Sequence, residues 1–406
     1  MECQYCNEHQ LTVVCDLGSS PASNNLIAIE NQQQGEQHFP LKVWYCESCH
    51  LVQAEQFENR EDYFKEDYVY YSSHSSTWVK HCEEYANKMI NDFSLKTSED
   101  YILEIASNDG YLLEIFKDLN FDVLGVEPTK GPAEVAINKG VNTLIEFFGE
   151  KTAQNIAREK GKPKLIAAKN VLAHVPDMPD FLRGVECLLD DHSVFTVEFP
   201  HLLQLLLNKQ YDTVYHEHYS YLSILFLKRI CQEAGLSIFR IDEIPTHGGS
   251  LRIYADKGKR DIDNSVADIL RKEIENGLND ASTYLKYNLT VFKHKIDSLN
   301  FFLELKKSGK RVAAYGAAAK GVTFLNTLGI TTDTIEYVVD NNPNKQDKLL
   351  PGSRIPIVNN DYFLNNLPDV VVILPWNLKK EISEVIDSLT DRKIHKVVFI
   401  PNPEFL

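Results

Sequence analysis

The sequence predicts an α/β chain in three parts: a small cysteine-rich module, then two units of alternating strands and helices. Two observations predict this. Apolar strand-like runs alternate with helical patterns over 101–200, and again over 311–401. Five of the eight cysteines fall within the first 50 residues. A chain of 406 residues has room for roughly two to four domains. Its 43% hydrophobic and 25% charged content is that of a globular chain with a core.

The module comes first. Cys3-x-x-Cys6 and Cys46-x-x-Cys49 are two knuckles, each able to grip a metal from one tight turn. Four thiolates around a tetrahedral zinc ion leave no open position, so such a metal serves folding. Cys15, Cys82, Cys187 and Cys231 stand apart and read as packing residues. The polar segment NNLIAIENQQQGEQ reads as a loop inside this module. The expected boundaries are 1–66 for the module, 67–258 for the central unit and 259–406 for the last.

In the central unit, YILEIA (101–106) is a buried strand, YLLEIFKDLN (111–120) a helix and DVLGVE (122–127) the next strand. LIAAKNVL (165–172), the helix FLRGVECLL (181–189) and SVFTVEFP (193–200) continue the alternation, with SLRIYA (250–255) as a late strand. Residues 258–310 are helical in pattern and connect the units. The second alternation is RVAAYGAAAKG (311–321), TIEYVVDNN (334–342), VVVILPW (370–376) and KVVFIP (396–401).

The formal charge of −16, from 42 basic and 58 acidic residues, argues against a bulk nucleic-acid binder but leaves room for a local basic pocket that takes an anionic ligand. No apolar run reaches the roughly 18–20 residues of a membrane span. MECQYCNEH lacks the basic and apolar regions of a secretion signal, so the expected location is cytoplasmic, with thiols or metal ligands rather than disulfides.

Chemistry concentrates in a few places. Glu104-Ile-Ala-Ser-Asn-Asp-Gly110 joins the first central strand to its helix, where backbone N–H groups and small side chains meet a ligand. Glu104, Ala106, Asn108, Asp109 and Gly110 are candidate cofactor residues. Glu127 ends the next strand, where an acid suits a pair of ribose hydroxyls. Asn170 and His174 follow the third strand and point to the same cleft. Tyr215-His-Glu-His218-Tyr-Ser-Tyr221 is the densest ionisable stretch. Its H-x-H could chelate a metal, but no third ligand is evident; acid/base work by imidazole near pKa 6.5 fits better. Read as extended backbone, the segment lets His216 and His218 share a face. YGAAAKG brings backbone close to a phosphate at a helix start, with Lys320 adding charge. The segment lacks G-x-G-x-x-G, which argues against a nicotinamide dehydrogenase.

Taken in order, C-x-x-C with C-x-x-C (3–49), YYSSHSSTW (70–78), LEIASNDGYLL (103–113), LGVEP (124–128), NVLAHVPD (170–177), YHEHYSYLS (215–223), HGGSLR (247–252), YGAAAKG (315–321), VVDNNPNKQDKLLPG (338–352) and LPWN (374–377) cover almost the whole chain. In these motifs the chain resembles the S-adenosylmethionine (SAM)-dependent sugar C-methyltransferases, which act at C3 of nucleoside-diphosphate 4-keto-6-deoxy sugars. The resemblance implies an N-terminal zinc module, a central Rossmann-like SAM methyltransferase domain and a C-terminal Rossmann-like domain that holds the nucleotide-sugar with the central one. By family habit the nucleotide is thymidine diphosphate (dTDP). It implies His218 as the base at C3, with Glu217 and Tyr215 beside it as hydroxyl or oxyanion partners, and His216 as the lesser candidate. Tyr70 and Tyr71 match the family's aromatic segment, one of which reaches the substrate; His174 and Lys320 complete the substrate candidates. Ala106 departs from the E-x-G-x-G loop of methyltransferases at large but is compatible with this family's own loop. A scaffold with an inactive methyltransferase fold is the competing reading, against which the intact Y-H-E-H stretch speaks.

Overall fold

A computed structural model describes residues 1–57, 59, 61 and 71–406. Three sheets dominate it. The central sheet has seven strands, in the order Ser237–Ile244, Ser250–Asp256, Val194–Pro200, Leu165–Lys169, Tyr101–Ile105, Asp122–Val126, Thr143–Leu144. Tyr101–Ile105 and Leu165–Lys169 are buried throughout, as strands covered on both faces by helices must be. The chain proceeds outward from Tyr101–Ile105 in one direction, then returns to continue from Leu165–Lys169 in the other. That reversal opens a crevice at the carboxyl ends of these two neighbouring strands, the usual ligand site of open α/β sheets. Ser250–Asp256 runs antiparallel between Val194–Pro200 and Ser237–Ile244.

The C-terminal sheet orders its strands Ile357–Val358, Val338–Val339, Val312–Tyr315, Val370–Ile373, His395–Val398, Glu404–Phe405, parallel except for the last. It has the same reversal, beside Val312–Tyr315. Ahead of it run the helices Asn264–Glu275 and Ala281–Lys307, matching the helical connector expected over 258–310.

The third sheet pairs Leu11–Ser20, Phe39–Cys46 and Val52–Ala54, and takes its fourth strand, Ser220–Tyr221, from the histidine-rich segment. A two-residue strand carries no pattern a sequence reader can see. The segment NNLIAIENQQQGEQ is more than a loop inside the module: Ile27–Ala28 pairs with Lys348–Leu349 of the C-terminal unit, and Glu36 binds Arg354 at 2.7 Å. The N-terminal part therefore clasps both of the others. The third central strand is shorter than the expected 165–172. It stops at Lys169 because Asn170 turns into the left-handed region (φ 54°).

Candidate active site

The four cysteine sulfurs of the two knuckles lie within 4.8 Å of one another. Cys3 and Cys49 are 3.5 Å apart and Cys6 and Cys46 are 3.6 Å apart. Tetrahedral zinc with bonds of about 2.3 Å spaces its sulfurs by about 3.8 Å, so the donor set and spacing fit zinc, held by all four thiolates. Cys15, Cys82 and Cys231 are buried and Cys187 is half-buried, in keeping with packing roles.

The crevice of the central sheet is a cavity lined by Asn108, Glu127, Asn170 and His174 among polar residues, with Ile105, Ala106, Pro128, Phe147, Phe148 and Val171 as its apolar walls. The loop after Tyr101–Ile105 is wound tightly: Ala106, Asn108 and Gly110 all have positive φ (56°, 48° and 76°). A non-glycine residue in that region signals stored strain, of the kind that clusters at ligand sites. A side chain at Gly110 would press on Ala136 at 3.0 Å, so the loop can lie this close only with glycine there. The Glu127 carboxylate clamps the loop: it accepts from the Asn108 N–H at 2.9 Å and the Thr129 N–H at 2.8 Å, and from the Thr129 hydroxyl. Burial raises its pKa above the usual carboxylate range. Glu104, fully buried behind the loop, is raised further by the same cause, with Lys169 opposing.

SAM carries a sulfonium, an ammonium and ribose hydroxyls, and the residues present fit it. Asp109 Oδ1 and Asn170 Oδ1 are buried acceptors with no hydrogen-bond partner, and the acids Glu104, Asp109 and Glu127 gather on one side. Such orphaned acceptors cost free energy unless a ligand donates to them.

A second cavity, of about 740 Å³, opens between the helix Ser76–Phe93, residues 245–247 and the C-terminal loops at 340–345 and 377–378. Ser72 and Trp78 line both cavities, so the two adjoin. Tyr71 lies in the second, stacked on His74 at 5.5 Å. Tyr70 falls outside the described residues. Ser72 and Ser73 donate to Asn108 and Asp109, which fastens the aromatic segment to the cofactor loop.

The histidine-rich segment is a turn at 216–217, so strand alternation does not govern it. His216 and His218 do not share a face. His216 puts Nε2 against the Phe39 and Pro40 carbonyls of the N-terminal sheet, at 3.3 Å each. Both Glu217 oxygens accept from the Asn24 amide at 2.9 Å, and burial without a cation raises its pKa to about 7. His218 instead packs against Tyr215 (3.9 Å between centroids) and edge-on to His174 (4.6 Å), the residue that lines the cofactor cavity. Its Nδ1 lies 3.0 Å from the Thr213 carbonyl. A carbonyl only accepts, so Nδ1 carries the proton and Nε2 keeps its lone pair. Burial, with His174, His247 and Lys320 near, holds its pKa well below the ordinary value.

Lys320 sits in the first turn of Ala319–Leu328, not in a free loop. It donates to Asn377 at 2.7 Å, covers the Trp376 ring, and lies near Asp212. Asp212 accepts from the Trp376 indole at 2.7 Å, while burial raises its pKa to about 6. Asp212 adjoins Thr213, so the C-terminal unit bears on the residue that orients His218.

Two groups near this centre escaped the sequence reading. His247, left-handed at φ 53°, lines the second cavity, and its Nε2 is 3.0 Å from the Asn170 amide nitrogen, bridging the two cavities. Its signal was the histidine followed by two glycines, a spelling for a strained turn. Glu198 gathers His81 at 2.7 Å, Arg252 at 2.7 Å and Lys169 beneath Trp78 and Tyr85. These four groups lie on separate elements and leave no local pattern.

Among the described residues no helix is long and apolar enough to cross a membrane. Residues 3–64 match a family described as a zinc binding domain, 78–240 a methyltransferase domain and 245–401 a C-methyltransferase C-terminal domain. The chain is 31% identical to the C-methyltransferase NovU of Streptomyces niveus over 407 aligned residues, which span 100% of this chain and 96% of that one. Solved structures with a likeness include a magnesium protoporphyrin IX methyltransferase from Synechocystis (14% identity, 44% of this chain and 78% of that one, TM-score 0.33). An S-adenosylmethionine-dependent methyltransferase from Clostridium acetobutylicum is another (13%, 44% and 92%, TM-score 0.36). At those scores the structural likeness carries no argument. The full-length relationship does: this chain belongs to the C-methyltransferase family and is a SAM-dependent C-methyltransferase.

Proposed function

We propose that the protein methylates C3 of a nucleotide-linked 4-keto-6-deoxy sugar, with thymidine diphosphate as the carrier, in the building of a branched deoxysugar. The observation that carries this reading is the pair of adjoining cavities with His218 and His174 beside them. One cavity has Glu127 and the orphaned Asn170 acceptor in its wall, suited to SAM; the other offers Lys80, Lys345 and the 341–342 asparagines to a charged, hydroxyl-rich ligand. When bound, SAM supplies an electrophilic methyl group.

The chain's own residues do the rest. His218, neutral and with Nε2 unprotonated, takes the C3 proton, which the C4 ketone acidifies by spreading charge onto its oxygen as an enolate. The proposed sugar contacts are Tyr71, which lines the second cavity, and Tyr215, which packs on His218; His174 holds the turn through its Nδ1–H to the Glu217 carbonyl at 2.8 Å, and Lys320 sets the field of the site. Glu217 is engaged by Asn24, so its proposed part is to brace the turn rather than to bind a sugar hydroxyl. Holding the two ligands in adjoining cavities orients the two carbons. The proposal is tested by incubating the protein with SAM and dTDP-4-keto-6-deoxy sugars: one methyl gained, located at C3 by NMR, is expected. Methylation on oxygen or nitrogen, or at another carbon, would overturn it.

Two substitutions probe the ligand assignments. Glu127→Ala removes the ribose acceptor and the loop clamp. A hydrogen bond to a charged group is worth about 1.5–3 kcal/mol, so SAM affinity measured by calorimetry should fall about 10–150-fold; an unchanged dissociation constant contradicts the assignment. Lys320→Ala should raise KM for the nucleotide-sugar and leave SAM affinity nearly intact. A fall in SAM affinity instead would mean that the ligand cavities are reversed.

A further inference from the structure

The 27-residue helix Ala281–Lys307 has two unlike faces. Tyr284, Val291, Ser298 and Leu305, each seven residues from the last, are buried inward. The opposite side carries Leu285, Leu289, Phe292, Ile296 and Leu303, exposed by 53, 62, 61, 44 and 51%, with Leu299 half-buried among them. The intervals run four, three, four, three, four. That is the 3.5-residue repeat of a coiled-coil seam, turned toward solvent. Single exposed apolar residues need no explanation, but six on one stripe do.

We propose that this stripe is a dimer interface, in which the helix pairs in parallel with the same helix of a second copy of the chain. Three observations select a second copy. The seam is self-complementary, because an identical heptad stripe supplies the apolar neighbours that each position needs. Five large side chains about half exposed leave on the order of 500 Å² of apolar surface in one stripe, the size of the largest patch on a typical monomer, which is often a functional one; doubled across a two-fold axis it reaches about 1,000 Å², the threshold of a specific interface. The charges flanking the seam then choose the direction. Lys286, Lys293 and Lys295 border it, with Asn288 and Asn300. A parallel pair sets Lys293 of each copy opposite Asn288 of the other, and Lys295 opposite Asn300. An antiparallel pair would oppose Lys293 to itself and Lys295 to itself, two like-charge contacts at its centre.

No residue of this helix lines either cavity, but the helix touches the site from behind. On its buried face the same helix holds His294, which bonds the Phe399 carbonyl at 2.7 Å and the Tyr211 hydroxyl at 3.1 Å. Tyr211 begins the turn that contains Asp212 and Thr213.

The test is sedimentation equilibrium of the full chain at low to tens of micromolar concentrations. A species of twice 46.4 kDa is expected. The double variant Leu289→Glu, Ile296→Glu should sediment as a monomer, with native circular dichroism and SAM affinity. Phe292→Cys should form a disulfide-linked dimer on mild oxidation, since a parallel seam sets that position against itself. A wild-type monomer across the range overturns the proposal, including the case where the stripe then captures a foreign helix with acidic flanks. So does a dimer that survives the double variant. Should oxidation instead link Phe292→Cys to Ile296→Cys in a mixture and neither to itself, the parallel direction is wrong. If the double variant fails to fold, the Phe292→Cys link in the otherwise unaltered chain decides.

Discussion

His218→Asn is expected to lower kcat by about 10²–10⁴-fold, the usual contribution of a positioned base, with both ligands bound almost as before. Asparagine can still donate to the Thr213 carbonyl but has no lone pair of imidazole strength. His216→Asn should do far less, because the His216 ring is committed to the Phe39 and Pro40 carbonyls. The pH dependence follows from the direction of the shift. A base works in its neutral form, and burial places the His218 pKa below its ordinary value. Activity should therefore hold through neutral pH and fall only on the acid side, below about 6.5. A rate that rises with a midpoint above that value would point to another group.

Loss of the metal should be nearly as severe. Structural zinc contributes apparent binding free energies of about 10–16 kcal/mol to domains of this kind, so Cys3→Ser and Cys49→Ser should each lose zinc and solubility. Purified protein should carry one zinc per chain. The damage should reach the active site, because Ser220–Tyr221, just past His218, is a strand of the same sheet. Metal analysis with activity measured on the same samples checks this; full zinc retention in both variants contradicts it.

Much of this architecture was legible because of how it is buried. Tyr101–Ile105, Leu165–Lys169 and Val370–Ile373 are covered on both faces and so read as near-continuous apolar runs, interrupted only by Glu104 in the first and closed by Lys169 in the second. The two cysteine knuckles stand out because two such pairs in one short module spell a four-thiolate site, where a single pair would equally read as a redox couple. What stayed hidden was short or assembled from afar. Thr143–Leu144 and Ser220–Tyr221 are too brief to show a period. The Asn24–Glu217 contact joins residues 193 apart, and only the fold reveals that Glu217 is engaged while His218 packs on His174. The shared face expected for His216 and His218 failed because a turn, not a strand, carries them. His247 is the opposite case: HGGSLR is legible as a motif, but a lone histidine within it gives no reason to place it beside Asn170.

Solvent exchange at C3 isolates the step assigned to His218. The protein is incubated in deuterated buffer with the 4-keto sugar nucleotide and S-adenosylhomocysteine, so that no methyl group can transfer and only the proton step is seen. Deuterium is expected at C3 with the wild-type chain, and its loss in His218→Asn. Exchange that persists in His218→Asn and vanishes in His216→Asn or Tyr215→Phe would contradict it, and would move the base to that residue.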